Sequence, residues 1–181
     1  MDVIIGRPPT NVPRARLVLQ DALYVRRLIE DETGKIEWRL YWVLLVTLLR
    51  AVGHVLRNVD GANDQRVKTV AAELHRSWKE GEEHAIFREF IEAERNNILK
   101  EYAFQVTQGP ISIMAHLQQT DGFDTVRQFL LEENIYRPME GGPYDGEDAR
   151  TLADEALEWW TAQLSCIDLR VRDQSTNLSE T

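Results

Sequence analysis

Between residues 14 and 32, Val18, Ala22, Val25 and Ile29 recur at helical spacing, while Arg16, Gln20, Arg26, Arg27 and Glu30 fall between them. That period predicts a helix with one apolar face, broken at Gly34 in ETGK. The pattern is strongest over about 36–58. There Trp38, Trp42, Leu45, Leu49, Val52 and Leu56 form a seam, which Leu44, Leu48 and Val55 widen, as expected of a central helix. NVDGAND, 58–64, reads as a loop turning at Asp60-Gly61. A third helix is predicted over 64–79, with Val67, Val70, Ala71, Leu74 and Trp78 on one side. After Gly81, a fourth over 82–104 gathers Phe87, Phe90, Ile91, Ile98 and Tyr102 into a narrow arc.

Beyond this point the periodicity weakens. Residues near 103–117 suit a short β-hairpin or an irregular segment around Gly109-Pro110, and DTVRQFLLEEN, 124–134, suits a short helix. YRPMEGGPYDG is a Gly- and Pro-rich loop that could border a small-molecule pocket. A last helix is predicted over 147–170 on the stripe Leu152, Ala156, Trp160, Leu164 and Ile167. Pro8, Pro9 and Pro13 make residues 1–13 an extended arm, and the polar run 171–181 reads as a disordered tail. The expected fold is therefore all-α: one domain over 14–170, an antiparallel bundle of about five long helices.

Composition narrows the function classes. A net charge of −9 argues against broad DNA binding, which needs a basic surface. It leaves room for a small local basic site. The single cysteine, Cys166, excludes an intrachain disulfide framework and a cysteine-based zinc cluster, and fits a cytoplasmic protein. Cys166 has no cationic neighbour in sequence and reads as an inert packing residue. The apolar run YWVLLVTLL is about half the ~20 residues a membrane span needs, so no membrane association is expected.

Most catalytic signatures are missing: there is no P-loop, dinucleotide fingerprint, nucleophile elbow or H-E-x-x-H. The residues three places before His54, His75, His84 and His116 are Ala51, Ala72, Gly81 and Ile113, so no Glu-x-x-His di-iron pair exists. No metal and no cofactor is expected. EGEEH, 80–84, gathers three carboxylates and His84, a set that could ligate a metal but reads better as an acidic helix start, where carboxylates suit the positive end of the helix dipole. His54 reads as a hydrogen-bonded core histidine. Trp159 and Trp160 read as core cover, with one ring free to meet a partner.

The candidate chemistry lies in FIEAERNNILKEY. Asn96 and Lys100 are four apart on one helix face, and Arg95 and Tyr102 lie along another. Packing alone gives one account: Arg95 snorkels at the bundle rim, Tyr102 closes the core and Lys100 sits in solvent. On that account the molecule is a non-catalytic interaction or structural protein with a protein partner.

The same stretch resembles the signature helix of HEPN proteins, whose pattern is R-x4-6-H and, in one toxin branch, R-N-x-x-x-H-x-Y. Arg95, Asn96 and Tyr102 match that branch, and Lys100 stands where its histidine would be. FREFIEA resembles the aromatic lead-in of such helices, and the order of helices over about 14–104 is similar. The resemblance implies a homodimer that pairs two such helices around a cleft for metal-independent RNA cleavage. It gives Arg95, Asn96 and Lys100 a phosphate-binding role, and Arg95, Lys100 and Tyr102 the catalytic positions. Lysine has a reference pKa of about 10.4, so it suits phosphate binding better than proton transfer near neutrality. The expected function is a degenerate RNA- or nucleotide-phosphate site with weak or absent ribonuclease activity.

Overall fold

The computed structural model describes residues 10–32, 34–107, 111–118, 124–130 and 136–179. The first nine residues of the arm therefore lie outside the described residues. Its last part is pinned: Val12 is buried, and Thr10 and Asn11 bond Asp168. Helix α1, Pro13–Asp31, opens with proline at a position where the missing N–H costs nothing. It buries Ala15, Leu19, Ala22, Val25 and Ile29. Helix α2, Lys35–Val55, runs beside it and buries Trp38, Trp42, Leu45, Val46, Leu49 and Val52.

The turn expected at 58–64 does not form. The chain continues as a wide π turn, Leu56–Asp60, and a helical turn, Gly61–Asn63. Two tertiary contacts account for this. The buried Asp60 carboxylate accepts the N–H groups of Arg14 and Ala15, and Gly61 lies so close to Lys68 that a Cβ would stand 3.3 Å from its Cα. Among the described residues, Lys35–Asn63 is long and apolar enough to cross a membrane by length and composition. In this fold its tryptophan-bearing face is the centre of the bundle. The widening of its seam fails at Leu44, which is exposed, and Ile36 and Leu40 lie exposed on the same side.

Helix α3, Gln65–Glu80, is capped by Asp64, whose side chain accepts the Arg66 N–H. The acidic EGEEH segment becomes a short 3₁₀ turn, Glu82–His84. A π-helical stretch, Ile86–Glu92, then leads into α4, Ala93–Glu101. Helix α5 starts at Ala149 and extends to Ser179, so the segment read as a disordered tail after Arg170 continues the helix. Val171 is fully buried, and this extends the apolar stripe one turn beyond Ile167.

Aromatic rings join these helices. Trp78 of α3 meets Phe87, Trp159 and Trp160 at centroid distances of 5.6, 5.2 and 5.4 Å. Trp159 also stacks on Phe87 at 5.3 Å, so both adjacent tryptophans join the cluster although only Trp160 is fully buried. Gly53 makes room for it: a Cβ there would come within 2.9 Å of the Trp160 ring.

The fold is an all-α helical bundle carrying one β-hairpin. Strand β1, Ser112–Gln118, pairs antiparallel with β2, Asp124–Leu130, in the register Ser112 to Leu130. Asp124–Leu130 is thus extended where a short helix was expected; the rest of that segment, 131–134, lies outside the described residues. Val126, directly opposite His116, brings a β-branched side chain to a ladder that satisfies the backbone groups. Among the described residues the hairpin packs on no helix. The loop 136–146 forms as expected, with Gly141, Gly142 and Gly146 at positive φ.

Candidate functional site

Helix α4 carries all the sequence-predicted site residues except Tyr102, which ends it. Tyr102 adopts the left-handed conformation at φ 51°, ψ 33°, a position usually taken by glycine. Its N–H bonds Ile98 O at 3.0 Å and the Ala103 N–H bonds Asn97 O at 3.3 Å, which closes the last turn of the helix. The turn points the Tyr102 ring outward, 58% exposed, with its edge against Phe104. The expected place for this tyrosine, on the core side, is therefore corrected. Helical phase no longer applies once the chain leaves the helix.

Arg95 is half-buried, and its Nη1 donates to Asn96 Oδ1 at 3.0 Å. Asn96 is half-buried and Lys100 is exposed one turn further on. The structure thus brings Arg95 and Asn96 into direct contact and sets Lys100 on the Asn96 face. No hydrogen bond joins Lys100 or Tyr102 to either of them among the described residues.

The carboxylates beside Arg95 are engaged elsewhere. Glu92 pairs with Arg50 of α2 at 3.4 Å. Glu94 is 0% exposed and points into the core, where its Oε1 accepts the Trp42 Nε1–H at 2.9 Å. Its two oxygens also face the Gln105 N–H at 3.4 and 3.3 Å. Burial raises the Glu94 carboxyl above its ordinary range, against the opposing pull of the Trp42 and Gln105 hydrogen bonds. Among the described residues, Arg95 makes no ion pair.

Glu94 was not singled out in the sequence, although a signal existed. Phe87, Ile91, Glu94 and Ile98 step along one helix face, so the carboxylate occupies a core position. Hydropathy hid it, because a glutamate in such a seam is ordinarily read as a boundary residue.

His54, expected in the core, is exposed and lies 3.1 Å from Asn58 Nδ2. His84 accepts the Trp159 indole N–H at Nδ1, 3.2 Å, and so helps hold the aromatic cluster. Among the described residues no group of three His, Cys, Asp or Glu side chains could hold a metal.

No protein-family model matches the chain, and neither a curated protein nor a solved structure matches it.

Proposed function

We propose that this protein is a HEPN-like, homodimeric helical bundle that binds an RNA or nucleotide phosphate through Arg95, Asn96 and Lys100, with weak ribonuclease activity or none. The observation that carries this reading is the uncompensated charge of Arg95. In a chain of net charge −9, its two nearest carboxylates on the helix are committed to Arg50 and to Trp42. Asn96 Oδ1 holds the guanidinium without neutralising it, leaving its other N–H groups for a phosphate. Lys100, one turn on, adds a second cation in solvent. Exposed Tyr102 offers a ring for stacking an unpaired base. Lysine at this position supplies charge for a phosphate, where the histidine of the resembled pattern would move protons during 2′-hydroxyl attack.

The test uses labelled single-stranded RNA in chelator, with wild type, Arg95→Ala and Lys100→His. Arg95→Ala is expected to weaken RNA binding roughly tenfold or more while the helical signal stays unchanged, as loss of a charge-assisted hydrogen bond implies. Lys100→His is expected to gain cleavage. Equal RNA binding by wild type and Arg95→Ala, with no cleavage by any variant, would overturn the proposal.

A second reading has its own observation. Ile36, Leu40 and Leu44 form an exposed apolar line at i, i+4 spacing on α2, and Met114 and Phe129 are exposed on the hairpin. These surfaces favour a protein-interaction role. Chemical crosslinking with Leu40→Glu would separate it from the RNA reading, because that variant leaves Arg95 untouched.

A further inference from the structure

A second concentration of positive charge lies apart from Arg95, around a cavity of about 60 Å³ between the end of α2, α3 and the π-helical stretch before α4. On one wall, Arg50, His54 and Arg57 follow one another at helical spacing, with Asn58 beside them. His75 of α3 faces them, and the Trp78 and Phe87 rings complete the lining. The His75 ring meets those two aromatic edges at 6.0 and 6.1 Å, which fixes its place in the wall.

The charge balance of this cavity runs against that of the whole chain. Burial lowers the His75 pKa first; Lys79, Arg57 and Arg50 lower it further, and Glu92 alone opposes them. Thus three permanent cations and one carboxylate act on this histidine, in a protein of net charge −9. Glu92 is already paired with Arg50, at 3.4 Å. Arg57 is exposed and makes no ion pair among the described residues. Asn58 Nδ2 sits 3.1 Å from His54 Nδ1 and 3.4 Å from its Nε2, so the amide and the imidazole form one polar edge of the cavity.

We propose that this cavity is an anion site for one phosphoryl group, held by Arg57, Arg50, His54 and His75. The volume accommodates several water molecules or one small tetrahedral oxyanion, and is too small to enclose a nucleobase. Guanidinium forks match phosphate oxygens two at a time, and the aromatic floor of Trp78 and Phe87 lowers the local dielectric and strengthens each contact. The phosphoryl group can come from free phosphate or from the terminal phosphate of a nucleotide. The lining contains none of the residues proposed at Arg95; the two sites have in common only the Arg50–Glu92 pair.

The test titrates the full-length protein with inorganic phosphate, and separately with adenosine 5′-monophosphate, by calorimetry at low ionic strength. Wild type, Arg57→Gln, His75→Gln and Arg27→Gln are compared, each with its folding checked by circular dichroism. Arg57 is exposed, so Arg57→Gln is expected to keep the fold and to weaken phosphate binding at least tenfold, whereas Arg27→Gln, at an exposed arginine of α1 outside the cavity lining, leaves it unchanged. His75→Gln is expected to weaken it as well. Equal affinity for the two ligands would identify free phosphate as the source, and tighter binding of the monophosphate would identify a nucleotide. Wild type that binds neither ligand, or binding that Arg57→Gln leaves at full strength, overturns the proposal.

Discussion

At Glu94 a single carboxyl group decides how helix α4 seats on the core. It is wholly buried, and its partners are an indole N–H and a backbone N–H rather than a cation. Because burial raises its folded-state pKa, the native protein holds this proton at pH values where the unfolded chain has released it. Its contribution to stability is therefore greatest below the ordinary carboxylate range, and declines as pH rises towards the folded value. Glu94→Gln keeps an acceptor for Trp42 and removes the titration. Urea denaturation from pH 4 to 8 is expected to show a flatter stability profile for this variant than for wild type. Glu94→Ala strands the Trp42 indole donor and is expected to cost about 1–3 kcal/mol. A Glu94→Gln profile parallel to that of wild type would show that the carboxyl does not titrate in this range.

Among the elements, α1 depends on a residue far along the chain. Its own N-cap position is Val12, which offers no side-chain acceptor. Asp60 supplies the acceptor from the π turn after α2, at 3.2 Å to Arg14 N and 2.8 Å to Ala15 N. That contact also explains why 56–63 is helical and not a loop: the bend must aim Asp60 at the first turn of α1. Asp60→Ala is expected to destabilise the protein by about 1–2 kcal/mol, the cost of a lost cap. Amide exchange should show the loss first in the opening turn of α1. Asp60→Asn, which retains an acceptor, should recover part of it. The hairpin is the opposite case, since two strands without a packed face are marginal alone.

Across the whole molecule, Asp168 ties the start of the described chain to its last helix. It receives hydrogen bonds from Thr10 Oγ1, Asn11 N and Arg16, with Arg16 Nη2 at 2.7 Å. Burial alone would raise this carboxyl, but the Asn11, Arg16 and Thr10 bonds outweigh it and hold the pKa below the usual 3.8. The stabilisation is thus complete above that value and lost as pH falls through the lower folded pKa, opposite in sense to Glu94. Asp168→Ala is expected to cost about 1.5–3 kcal/mol at pH 7, read as a lower urea midpoint. The gap from wild type should close in strong acid. A gap that persists there would assign the effect to packing.

The period of apolar residues was enough to locate the main helices, because the faces of α1, α2 and α3 each bury a continuous stripe. The same pattern identified Arg95, Asn96 and Lys100 as neighbours on one helix. What the sequence could not determine were features set by partners distant in the chain. Glu94 and Asp60 look like surface acids until Trp42 and α1 are brought against them. Tyr102 and His54 look like core residues until the helix ends and the bundle leaves one side open. The cavity joining Arg50, His54 and Arg57 to His75 exists only once α2 and α3 are packed. Local periodicity reports which face of a helix is apolar, whereas the pairing of polar groups across helices depends on three-dimensional closure, and that closure decides where charge is left without a partner.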